Sequence, residues 1–190
     1  FDQSKQTVIL DTLVNGLVVE KRDSIYIFAG DMIYYECDLW MLEQIPTEQG
    51  GLRSGLSSLP AQYWPGRRVP YEFAPGFNYV YQYYVQQAMS SISSVCGVYF
   101  TQAQSSDTHR IIFTPSNENS SNVGMSSNNT QQINIYLLDN PSYYSQYFIG
   151  TIMHEILHAL GFYHEHQRMD RDNWIVINWS NIRPAKQHNF

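Results

Sequence analysis

The stretch Gly150-Thr151-Ile152-Met153-His154-Glu155-Ile156-Leu157-His158-Ala159-Leu160-Gly161-Phe162-Tyr163-His164-Glu165 decides the reading of this chain. On a helix, His154 and His158 stand four apart and share one face, one turn from each other. Ile152, Ile156, Leu157 and Leu160 cover much of the rest and would bury the helix. Two imidazoles on a single turn can hold one Zn2+. Glu155 sits beside them without being forced to ligate, which suits a general base. Gly161 ends the helix, because glycine tolerates left-handed backbone just past a helix end. The chain can then turn and bring His164 back as a third ligand. Three protein ligands leave one position open for water, the mark of a catalytic rather than a structural zinc site. His-Glu-x-x-His alone also arises on a buried helix whose histidines are ordinary core residues. Gly161 and His164 at their spacing decide for the metal.

Upstream of this helix the pattern predicts an α+β arrangement. Val69–Phe73 reads as a strand, with Pro70 pointing to an edge or a strand start. Tyr81, Tyr84, Val85, Ala88, Ile92 and Val95 recur every three or four residues, the stripe of an amphipathic helix over 77–95. Val98–Thr101 and Arg110–Thr114 read as strands, and the Ser/Asn-rich residues 115–131 as a long loop. Ile133, Ile135 and Leu137 alternate with Asn134 and Tyr136, the period of a half-buried strand. Strands with one long helix and then a second argue two packed layers. Residues 1–45 carry short apolar patches (Val8–Leu10, Leu17–Val19, Ile25–Phe28, Ile33–Tyr35) that read as extended pieces or single turns. Pro46–Pro60, with Gly50, Gly51, Gly55 and several serines, is a linker, and Arg53 within it is a cut site for a trypsin-like protease.

Composition narrows the function classes. The 190 residues are 43 % hydrophobic, enough for a core, and carry a net charge of −6 with no basic run. Such a chain is a poor candidate for binding nucleic acid. No apolar stretch approaches a membrane span. The 28 aromatic residues (15 Tyr, 9 Phe, 4 Trp) and the polar, uncharged remainder suit a secreted protein. Only Cys37 and Cys96 are present, so no dense disulfide framework exists. The first residues lack a basic and an apolar leader region, which fits either a cytoplasmic protein or a secreted one whose signal peptide has already been removed. Asn119, Asn128 and Asn178 stand in Asn-x-Ser/Thr sequons.

The motif from His154 to Glu165, followed by Arg168-x-Asp170-Arg171-Asp172 and Trp174–Ile182, resembles the astacin family of metzincin zinc endopeptidases. Trp64–Phe73 resembles the start of the mature astacin domain. Ala88-Met89 and Val95-Cys96 fall where that family's first helix ends, and Ser121–Gly124 through Leu137 is similar to its substrate-binding edge strand. The resemblance covers about residues 60–182. It implies a metzincin catalytic domain with a mixed sheet and two long helices, in which His154, His158 and His164 bind one Zn2+. It implies hydrolysis of internal peptide bonds in proteins or peptides, with Glu155 taking a proton from the attacking water. Glu165, by the same resemblance, holds the ammonium of the mature N-terminus.

The resemblance also implies a proenzyme, secreted and with its signal peptide already removed. Residues 1–54 would be an inhibitory pro-segment and linker, and 55–190 the peptidase domain, with Arg53-Ser54 as the site for an activating protease. Phe28-Ala29-Gly30-Asp31 resembles the pro-segment motif whose aspartate occupies the open zinc position in astacins. In that family the cysteine matching Cys96 pairs with one near the C-terminus, beyond the end of this chain, which leaves Cys37 over. A thiolate is a softer and usually stronger zinc ligand than a carboxylate. Cys37 is therefore the first choice for the latch and Asp31 the alternative. A Cys37–Cys96 disulfide with no latch role is a third arrangement.

Two features depart from the family. The chain stops at Phe190, before the Met-turn and the tyrosine beyond it, so the lower C-terminal subdomain is expected to be largely absent. The loop at 115–131 has no cysteine to tie it. A rival function from another class is a non-catalytic zinc-containing extracellular binding protein. Glu155 argues against it, because a structural site has no need of that carboxylate.

Overall fold

The computed structural model describes residues 10–14, 17–22, 25–28, 32–35, 63–127, 129–137, 145–168 and 170–190. The chain divides into two compact units, one of Phe1–Leu56 with Tyr163–Phe190 and one of Ser57–Phe162.

The first unit contains four short strands, β1 (Leu10–Val14), β2 (Leu17–Arg22), β3 (Ile25–Phe28) and β4 (Met32–Tyr35). They form an antiparallel meander, with Val14 opposite Leu17, Arg22 opposite Ile25 and Phe28 opposite Met32. The extended pieces expected here are thus strands paired in sequence order. β3 and β4 carry a β-branched or aromatic residue at most positions, and β1 and β2 are separated by Asn15-Gly16, the preferred composition of a two-residue hairpin connection. Tyr26, Ile27, Met32 and Ile33 are buried. At its other end this unit consists of short 3-10 turns at Glu165–Gln167, Arg171–Asn173, Trp179–Asn181 and Pro184–Asn189.

The second unit carries a mixed sheet and two helices. Its strands are β5 (Arg68–Phe73), β6 (Tyr99–Gln102), β7 (Arg110–Ser116), β8 (Ser120–Asn122) and β9 (Thr130–Tyr136), in the order β8-β9-β7-β5-β6. β6, β5, β7 and β9 are parallel, and β8 is antiparallel to β9. Helix α1 (Tyr79–Cys96) starts on Asn78, whose Oδ1 accepts from the Val80 amide at 2.8 Å, and stops at Gly97 with φ +68°. Helix α2 (Ser145–Ala159) packs beside it.

Three expectations change. Pro70 is not on an edge, because β5 has a neighbour on both sides. It lies where β5 pairs with β6 alone, and the β7 pairing begins only at Tyr71, a place where a residue without an N–H is tolerated. Val95, at the end of the α1 stripe, is exposed in the last turn, and Met89 joins the buried face instead. The stretch 115–131 is not one loop: β7 runs on to Ser116, β8 occupies Ser120–Asn122, and β9 begins at Thr130. The core between sheet and helices is aromatic. Tyr81 and Tyr84 of α1 meet Phe148 of α2 edge-on at 5.2 and 5.6 Å, and Phe73 stacks on Phe77 at 5.3 Å. Phe113, Ile111, Ile133, Ile135, Ile152 and Ile156 are fully buried beneath them. Removing each such side chain from water is worth roughly 1.5–3 kcal/mol.

Candidate metal centre

The expected zinc motif occupies the last two turns of α2 and the residues just after it. Counting about 100° per residue, Phe148, Ile152 and Ala159 fall on one face, and all three are buried in the core. Glu155 falls on this same face, at 1 % exposure, where an ionisable group is kept against a desolvation cost. His158 is buried at the border of the face and His154 is exposed beyond it.

The end of α2 is closed by a Schellman pair of hydrogen bonds. The Phe162 amide donates to the Leu157 carbonyl at 3.0 Å and the Gly161 amide to the His158 carbonyl at 2.8 Å. Gly161 has φ +105°, outside the range open to other residues at low cost. Two groups from distant parts of the second unit also reach this helix end. The Gly124 amide donates to the His158 carbonyl at 2.7 Å, and the Trp64 indole Nε1 donates to the Ala159 carbonyl at 2.8 Å. The carbonyls of three successive residues at the helix end, 157 to 159, are thereby satisfied.

The turn also orients a ligand. Nδ1 of His158 is 2.6 Å from the Phe162 carbonyl oxygen. A carbonyl only accepts, so Nδ1 carries the hydrogen and the neutral ring presents a bare Nε2. That Nε2 is 3.0 Å from Nε2 of His154. At this separation the two nitrogens can share a proton or a cation between them. Nitrogens about 2.0–2.1 Å from one tetrahedral zinc stand about 3.3 Å apart, close to the observed separation. One nitrogen from each of His154, His158 and His164 lies within 4.8 Å of the others. Three imidazoles that each offer a nitrogen at this range are a donor set that fits Zn2+.

Of the other residues singled out above, Glu165 is exposed and pairs with Arg168 at 3.0 Å. Arg168 also forks onto Asp170, with Nε to Oδ1 at 2.9 Å and Nη2 to Oδ2 at 2.8 Å. These hydrogen bonds hold the Asp170 carboxyl below the usual carboxylate range and raise the Arg168 guanidinium further. His166 stacks on His164 with centroids 5.0 Å apart and is within 3.0 Å of the Asn189 carbonyl. Cys96 is a free, exposed thiol at the end of α1 that donates to the Ile92 carbonyl. Asp31, Cys37, Arg53 and Ser54 lie outside the described residues, as does Asn128. Among the described residues no helix is long and apolar enough to cross a membrane.

The sequence reading missed Trp64, Gly124 and Gln131 as supports of the site. Gln131 did carry a signal. It lies on the same strand phase as the buried Ile133 and Ile135, so an amide at that position is an inward-facing polar group in need of partners.

A mixed sheet over two helices, with three histidines gathered at the end of the second, defines a zincin-like metalloprotease domain. The astacin peptidase family matches residues 57–190, and the chain belongs to that family. The family is zinc-dependent, and His154, His158 and His164 form its potential zinc-binding triad here. The chain is 32 % identical over 130 residues to the zinc metalloproteinase nas-7 of Caenorhabditis elegans, covering 68 % of this chain and 32 % of the relative. It is likewise 32 % identical over 171 residues to the protein SpAN of Strongylocentrotus purpuratus, covering 86 % of this chain and 26 % of that one. Among solved structures, high choriolytic enzyme 1 of the medaka Oryzias latipes, a hatching enzyme zinc-protease, superposes with a TM-score of 0.56 at 25 % identity. The match covers 71 % of this chain and 62 % of that one. The chain thus spans about a quarter to a third of the curated relatives' length.

Proposed function

We propose that this chain is a zinc-dependent endopeptidase that acts on proteins or peptides outside the cell and is held latent by its own N-terminal segment. The observation that carries the reading is the convergence of His154, His158 and His164 beside a buried Glu155. Bound zinc supplies Lewis acidity to the scissile carbonyl and to the attacking water. The remaining chemistry belongs to the chain. His158 keeps the right nitrogen bare through its Nδ1–H bond to Phe162. Glu155 takes the proton of the attacking water and delivers it to the leaving amine.

In this reading residues 1–54 are the pro-segment and 55–190 the peptidase domain, and an activating protease cuts at Arg53-Ser54. Cys37 is the zinc latch of the latent form, with Asp31 as the alternative. Glu165 binds the ammonium of the mature N-terminus once cleavage has created it, exchanging its pairing with Arg168 for the new partner.

The deciding experiment compares the processed protein with its Glu155→Gln variant. Zinc content should be unchanged, because Glu155 is not a ligand, while peptide hydrolysis falls about 10²–10⁴-fold. Hydrolysis that survives the substitution removes Glu155 from its role. A zinc-loaded, processed protein that cleaves nothing supports a non-catalytic zinc-binding role instead.

A further inference from the structure

Gln131 is polar, 1 % exposed, and uses both ends of its carboxamide on a single segment. Its Oε1 accepts from the Ser126 amide at 2.8 Å and its Nε2 donates to the Gly124 carbonyl at 2.9 Å. Between those two bonds the backbone passes through Gly124 at φ +70°. The amide of that same Gly124 donates to the carbonyl of His158 at 2.7 Å. A chain of hydrogen bonds therefore runs from β9 through the 124–126 segment to the backbone of a candidate zinc ligand.

We propose that Gln131 is a positioning residue for His158. The carboxamide fixes residues 124–126, the Gly124 amide then grips the last turn of α2, and the His158 imidazole is held at the angle its Nδ1–H bond to Phe162 requires. Glutamine is suited to the position because its tip accepts and donates at once. A glutamate of the same shape would set a carboxylate against the Gly124 carbonyl. A leucine would leave the Ser126 amide and the Gly124 carbonyl without this partner in a buried place. The Gly124 amide shares the His158 carbonyl with the Gly161 amide, so the segment bears directly on the turn leading to His164.

This inference rests on the three histidines binding zinc, and its test separates the two ideas. Zinc affinity is measured by chelator competition, and the Co2+-substituted protein is followed by its visible absorption, for the wild type, Gln131→Leu and Gln131→Glu. Ile92→Ala, in the α1 core away from the site, serves as a control of lowered stability. Gln131 variants should bind zinc about 10–100-fold more weakly and show a shifted Co2+ spectrum, as loss of a ligand's outer support does. Ile92→Ala should unfold at lower temperature with both metal readouts unchanged. Unaltered affinity and spectrum in a folded Gln131 variant overturn the proposal, and a wild type that binds no zinc overturns the site itself. Should neither variant fold, hydrogen exchange on the wild type decides. Added zinc should slow the Gly124 and Ser126 amides more than those of α1, and equal slowing throughout counts against a link.

Discussion

The indole Nε1 of Trp64 donates to the carbonyl of Ala159 at 2.8 Å, across 95 positions of sequence. Trp64 precedes β5 and Ala159 is the last residue of α2, so one hydrogen bond joins the beginning of the second unit to the end of the helix that carries His154 and His158. Trp64 is itself buried in the core. Trp64→Phe keeps an aromatic ring there but removes the donor, leaving a buried carbonyl without that partner. Stability should fall by about 1–3 kcal/mol. Urea unfolding with an unchanged slope would measure it, and a midpoint equal to the wild type would show that the bond contributes nothing net.

Gly161 offers a second check on the same helix end. Its φ of +105° lies where a side chain is strained. Gly161→Ala should cost about 1–3 kcal/mol and weaken zinc binding, because the turn to His164 must reform. Thermal unfolding with and without zinc separates the two effects. A substitution that lowers stability equally in both conditions disturbs the turn without reaching the metal.

His154 and His158 and the helix that carries them were legible because their spacing follows from the helical repeat, and Gly161 marked the turn before His164. The supports were less so. β8 is Ser120-Ser121-Asn122, three polar residues that are nonetheless buried, and no apolar alternation announces it. Its burial comes from pairing with β9 and packing against α2, both tertiary facts. The β1–β4 meander was partly legible: Asn15-Gly16 between apolar runs is a hairpin signal, but the runs are too short to fix their pairing by periodicity. Trp64 and Gly124 act through a side-chain donor and a backbone amide on distant segments, and local spacing cannot encode that.

The pairing of Arg68 with Asp107 sets an acid limit on the second unit. Arg68 forks onto Asp107 at 2.6 and 2.9 Å, and the Gln104 amide adds a third bond at 2.8 Å. Hydrogen bonds from Arg68 first, then from Gln104, hold the Asp107 carboxyl at about 2, against an ordinary 3.8. A depressed carboxyl stabilises the fold above its unfolded value and loses that contribution as pH falls through its folded value. The stability difference between wild type and Asp107→Asn should therefore be constant above about pH 5 and shrink progressively from about pH 4 to pH 2. A difference that stays constant down to pH 2 would mean that the charge of Asp107 is irrelevant.

Zinc-edge X-ray absorption on the unprocessed protein tests the proposed latch. A Cys37 latch predicts one sulfur scatterer at about 2.3 Å beside the imidazoles. Cys96 is the only other sulfur of that type in the chain, and its thiol already donates to the Ile92 carbonyl on its own helix. The sulfur signal should accordingly vanish in Cys37→Ser and persist in Cys96→Ser. Cys37→Ser should also raise hydrolysis by the uncut chain, since a hydroxyl is a far poorer zinc ligand than a thiolate. A shell of nitrogen and oxygen alone, with Asp31→Ala rather than Cys37→Ser releasing activity, assigns the latch to Asp31. Processing at Arg53 should abolish the sulfur signal only in the first case, because only there does cutting the chain free a thiolate from the metal.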